Sequence, residues 1–153
     1  MSHEEKNTIL QILIGIGINI WLAVEINNLY SKGLMYSPDA IHRWAETIFW
    51  IMIISVLVGI IITIFGTLIF SIIESIIFGE ADNNFIIDER DREIAGTGHK
   101  VFVGFSSTGF LMLILGLKFG FELIDCLVLM MFCFSLGGLL SEIVKLVRYR
   151  MSL

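Results

Sequence analysis

The sequence predicts an all-α, polytopic membrane protein, four transmembrane helices packed as an antiparallel bundle. Three observations carry this expectation. Of 153 residues, 56% are hydrophobic and 16% charged, with a mean hydropathy of +0.87, against roughly 45–50% apolar and about 25% charged in soluble domains. The apolar residues fall in blocks, each comparable to the roughly 20 residues that cross a bilayer. Nothing alternates with a period of two, as the strands of a membrane barrel would. The 17.3 kDa chain therefore reads as one integral membrane domain, 1–153, with spans at about 8–26, 45–78, 101–119 and 123–144 and a loop at 79–100. A soluble core enzyme, a disordered tail and a disulfide scaffold are excluded. The net charge of −5 argues against nucleic acid as a partner, because phosphate neutralisation needs clustered Lys and Arg.

An even number of spans places both termini on one side. On that side, with the 79–100 loop, lie Lys6, Arg90, Arg92, Lys100, Lys145, Arg148 and Arg150; Lys32, Arg43 and Lys118 lie on the other. The excess in short loops predicts cytoplasmic termini in the cell (inner, cytoplasmic) membrane. The opening MSHEEK precedes an apolar run without a small-x-small cleavage site, so the first span is expected to stay as an anchor. Cys126 and Cys133, in apolar surroundings, read as small packing residues.

Span one repeats Gln11, Gly15, Asn19 and Ala23 at every fourth position, one narrow polar or small ridge on a helix. That ridge is expected to face protein, as interhelical glue or as a polar pathway. After the loop NNLYSKGLMYS, Ser37 reads as an N-cap, Pro38 as the first helical residue and Asp39 as a match for the helix dipole. A helix from Pro38 to Phe78 would be on the order of 60 Å long, twice the hydrocarbon thickness. Within it Ser55, Gly59, Thr63, Thr67, Ser71 and Ser75 recur at every fourth position. Such a row lets another backbone approach closely, which makes span two the expected central packing helix; the competing reading lines a pore with the hydroxyls.

Acids within or near spans are the candidate ion or proton groups: Glu25, Glu74 and Glu142. All lie near an expected interface, and Lys145 stands three residues after Glu142, so a local pair is the structural alternative. The short connection KFGFE makes spans three and four a hairpin.

The 79–100 loop holds the densest charge. In IDERDREI, acids and bases fall three or four apart and Ile87 and Ile94 give one apolar side, the pattern of an amphipathic juxtamembrane helix. This segment resembles the DER(D/E)-x-x-I signature of a family of small, uncharacterised four-helix membrane proteins of bacteria and archaea. The resemblance covers about 87–117 and the four-span plan. By motif it carries over Asp88, Glu89, Arg90, Asp91 and Ile94; in that family the motif lies on the cytoplasmic side before the third span, with no activity established. Here AGTGHK follows, and Gly96 and Gly98 leave open whether the helix runs unbroken into span three.

His3 and His42 lie in other segments than His99, His42 on the opposite side of the membrane, and no H-E-x-x-H, EF-hand or Walker pattern is present, so no metal or cofactor is expected. The sequence reads as a non-enzymatic membrane protein. Its partners are the lipid bilayer, a second copy of itself (a homo-oligomer) and a cytoplasmic or membrane protein docked or regulated through Asp88, Glu89, Arg90, Asp91, Arg92 and Ile94. The alternative is a small proton- or cation-coupled transporter or channel.

Overall fold

The computed structural model describes residues 3–78 and 89–151. It contains α1 (His3–Ser31), a 3-10 turn at Leu34–Tyr36, α2 (Ala40–Phe78), α3 (Glu89–Lys118) and α4 (Leu123–Met151). Among the described residues there is no strand, and all four helices are long and apolar enough to cross a membrane. The chain is an all-α bundle. In lipid a backbone N–H finds no partner but its own preceding turn, so apolar runs of this length fold as helices.

Two glycines make the reversals. Gly120 takes φ +83°; its N–H donates to the Leu117 carbonyl and that of Phe121 to the Gly116 carbonyl, the Schellman pattern that ends α3. Gly33, at φ +67°, closes α1 by donating to the Tyr30 carbonyl. Ser37 is not the N-cap of α2: its hydroxyl donates to the Leu34 carbonyl, and the helix begins at Ala40. The Asp39 carbonyl takes the first helical bond, from the Arg43 N–H.

The principal seams are α3–α4, then α1–α4, then α1–α2. Neighbours therefore run α2, α1, α4, α3, each antiparallel to the next. Span two is not the central helix; α1 and α4 are, and α2 sits at an edge with Phe49, Trp50, Leu57, Ile61 and Phe65 all exposed. The α3–α4 seam is closed by glycines. A methyl group on Gly109 would stand 2.7 Å from Cys133 Cβ, one on Gly116 2.5 Å from Cys126 Sγ, one on Gly137 2.8 Å from Phe105 Cβ and one on Gly98 2.9 Å from Ser141 Oγ. Contact this close supplies the packing that draws helices together in lipid.

The largest apolar core lies toward the turns. Leu22, Ile26, Met35, Ile48, Ile51, Ile124 and Val128 form one buried cluster, with Met35 of the 3-10 turn almost fully enclosed. Polar groups gather at the other end.

Candidate functional site

Where α1 begins and α4 finishes, three helices leave a half-enclosed cleft of about 540 Å³. Asn7, Thr8 and Gln11 line it from α1, Asp91, Arg92 and Ala95 from α3, and Glu142, Lys145 and Tyr149 from α4. Each set falls at spacings that keep it on one face of its helix. Antiparallel packing brings the three faces to the same end.

The cleft contains two carboxylates and two cations. Glu142 and Lys145 form an ion pair within α4, both largely buried. Asp91 is half-buried and Arg92 exposed, so the charge ranges from the floor to the rim. Thr8 and Tyr149 are buried. Asn7 Oδ1 is fully buried and meets no donor among the described residues. One turn before the cleft, Glu5, its side chain 7% exposed, pairs with Arg150 at 2.7 Å. These groups can hold a polar ligand by charge and hydrogen bonding.

The charged motif forms the first turns of α3, apart from Asp88, which lies outside the described residues. Ile94 is buried. Arg90 donates to the Tyr149 carbonyl at 3.3 Å, and Glu93 accepts from Arg148 at 3.3 Å. Sequence spacing pairs these charges within their own helix; the hairpin also brings the last turns of α4 beside them. Glu89 and Arg92 are exposed, and Asp91 and Arg92 enter the cleft. The helix runs unbroken through Gly96 and Gly98, with Gly98 buried under Ser141 and Lys145.

Of the small-residue row, Ser55, Gly59 and Thr63 are half-buried. Thr63 Oγ1 accepts a 2.8 Å hydrogen bond from Gln11 Nε2, and a methyl on neighbouring Gly66 would stand 2.5 Å from Leu10 Cδ2. Above Gly59 the space is open. Of Thr67, Ser71, Glu74 and Ser75 only the backbone, in α2, is described. On α1 the polar ridge turns between neighbours. Gln11 reaches α2, Gly15 lies against Leu139 of α4, Asn19 Nδ2 donates to the carbonyls of Gly15 at 2.8 Å and Ser135 at 3.5 Å, and Ala23 is exposed. A four-residue step rotates about 40°, which carries the row past one helix to the next and then outward.

Glu25, half-buried near the turn end, accepts from Trp21 Nε1 at 3.4 Å. At the same end Tyr30 donates its hydroxyl to Asp125, tying α1 to α4. Among the described residues no three His, Cys, Asp or Glu side chains gather as a metal site. Sequence reading missed Asn7 and Tyr149 as cleft residues, and the glycine seam. The seam had a signal: Gly109 and Gly116 lie seven apart, as do Cys126 and Cys133. That the three helix faces meet in one cleft had no signal within any single helix.

The chain matches no protein-family model, no curated protein and no solved structure.

Proposed function

We propose that this is a non-enzymatic integral protein of the cytoplasmic membrane, with both ends of the bundle's chain and the 79–100 segment in the cytoplasm, whose DERDRE segment docks a protein partner or carries a regulatory signal. One observation carries the reading: the motif converges with the start of α1 and the end of α4 on one cleft lined by charged and polar residues, while Glu89 and Arg92 stay exposed. Exposed charges of both signs recognise a partner by complementarity. The basic residues favour this end as the cytoplasmic one, and the DER(D/E)-x-x-I resemblance agrees with it. A homo-oligomer fits the open space above Gly59 and Gly104.

A photo-crosslinking residue in place of Arg92 tests docking in cells. A discrete protein adduct at position 92, absent at the outward-facing Leu111 and lost on adding Glu89→Lys, is expected. Adducts equal at positions 92 and 111 overturn the reading.

The transport reading rests on a different observation. Asn19 Oδ1 and Ser55 Oγ, the one farther along α1 than Gln11 and the other nearer the turn on α2 than Thr63, are buried within the spans without a partner among the described residues, and polar groups at membrane depth are costly and mark functional positions. Proton-coupled flux in proteoliposomes that disappears with Glu142→Gln would favour it over docking.

A further inference from the structure

We propose that α2, over its last ten residues, 69–78, pairs with the α2 of a second copy of this chain, the two copies being related by a two-fold axis along the membrane normal. This deepens the homo-oligomer reading, on which it rests, by naming the surface and what drives the contact.

The four helices differ in how far they run without a charge. On α1, 18 residues separate Lys6 from Glu25, on α3 17 separate Lys100 from Lys118, and on α4 16 separate Asp125 from Glu142. Each stretch is about 24–27 Å of helix, just under the roughly 30 Å of a bilayer's hydrocarbon. On α2, 27 residues separate Glu46 from Glu74, about 40 Å. This helix is too long for the slab that suits its neighbours.

The surplus lies at the cleft end. Gln11 stands opposite Thr63, so Lys6, five residues before the one, is level with Leu68, five after the other in this antiparallel pair. Gly15 lies against Leu139, which by the same reasoning sets Lys6 level with Arg148, the partner of Glu93 on α3. The other three helices are therefore charged at the level of Leu68. Beyond it α2 continues ten residues to Phe78, about 15 Å, with Glu74 its one charge there. Ile69, Ile72 and Ile76 are exposed in this stretch, Ile76 at 78%.

Tilting α2 alone does not hide the surplus, because the helix is held to α1 at two levels: Ile48 and Ile51 share the core cluster with Leu22 and Ile26, and Thr63 and Gly66 meet Gln11 and Leu10. Tilting the whole bundle would shorten three spans that already fall within the hydrocarbon thickness. The sequence that follows α2, GEADNN, is polar and does not match an apolar face. A matching partner has to be apolar at the same depth, and a second α2 related by the two-fold axis is so by symmetry. Thr67, Ser71 and Ser75, four apart, are residue types that let two helices approach closely. Hydrophobic mismatch of this kind drives helix association.

The test uses the full-length protein in a Cys126→Ala, Cys133→Ala background, reconstituted in phosphatidylcholine bilayers of 14-, 18- or 22-carbon chains. Energy transfer between copies labelled at Lys32→Cys, near the turns, reports association through any face. Disulfide formation on oxidation at Ile72→Cys or Ile76→Cys, compared with Leu111→Cys on α3, reports which face. Association is expected in the thinnest bilayer, with a dimer-to-monomer ratio that falls roughly tenfold in the thickest, where lipid covers the surplus, and with disulfides at 72 or 76 exceeding those at 111. Energy transfer with disulfides at 111 but not at 72 or 76 overturns the proposal and leaves the homo-oligomer reading standing. Energy transfer independent of chain length also overturns it, because the mismatch is then not what drives the contact. No energy transfer in any bilayer overturns both.

Discussion

Gln11 of α1 donates its side-chain amide to the hydroxyl of Thr63 on α2 at 2.8 Å, a direct polar tie between the two helices. Its position matters because the buried apolar residues of α2 are concentrated at Ala40, Ile48 and Ile51, toward the turn. Farther along, this bond and the approach of Gly66 to Leu10 hold α2 against α1. Interhelical hydrogen bonds in membranes average about 0.6 kcal/mol and reach about 1.7. A double-mutant cycle of Gln11→Leu and Thr63→Val, read by reversible unfolding in mixed micelles, should return a coupling in that range. A coupling of zero would remove the bond as a tie between α1 and α2.

Asn19 should behave differently. Its amide bonds its own helix at Gly15 and reaches Ser135 only at 3.5 Å, and its oxygen is buried without a donor among the described residues. Asn19→Leu gives up a weak contact and also removes an unsatisfied acceptor, two effects of opposite sign. The expected change in unfolding free energy is within about 0.5 kcal/mol, smaller than for Gln11→Leu in the same assay. A larger loss would mean that Asn19 is held by a bound water or ion.

The glycine seam predicts a contrast between two alanine substitutions. Gly109→Ala places a methyl 2.7 Å from Cys133 Cβ and 3.3 Å from the Met130 carbonyl, so backbone must move, at a cost of about 1–3 kcal/mol. Gly17→Ala enters open space and should be neutral or stabilising by up to about 1 kcal/mol, because alanine favours the helix. Adding Cys133→Gly to Gly109→Ala should recover part of the loss. Equal effects at positions 17 and 109 would show that the α3–α4 seam is looser than the distances imply.

Orientation is open to direct labelling. In a Cys126→Ala, Cys133→Ala background, an impermeant thiol reagent applied to intact cells should modify Lys32→Cys and Phe121→Cys, which sit at the turns, and should reach Arg92→Cys only after permeabilisation. Labelling of position 92 but not 32 from outside would invert the arrangement.

Part of the candidate site was legible in the residues alone. The pair Glu142–Lys145 follows from a three-residue spacing on one helix, and the clustering of charge at 88–93 marked the start of α3. Arg90 and Glu93 illustrate the limit: nothing near them in sequence indicates Tyr149 and Arg148. Those contacts exist because a hairpin places the end of α4 beside the beginning of α3.

Helix type, the number of apolar spans and the two turns were determined by sequence, because each depends on groups within one segment: a run of apolar side chains with self-satisfied backbone, and glycines at 33 and 120 able to take positive φ. Which helices became neighbours was decided only by tertiary structure. Lipid rewards one apolar face no more than another, so the long row of small residues on α2 did not make it the hub. Close approach at Gly98, Gly109, Gly116 and Gly137 joined α3 to α4. With α1 laid against α4, that arrangement gathered Asn7, Asp91, Arg92, Glu142 and Lys145 around one cleft.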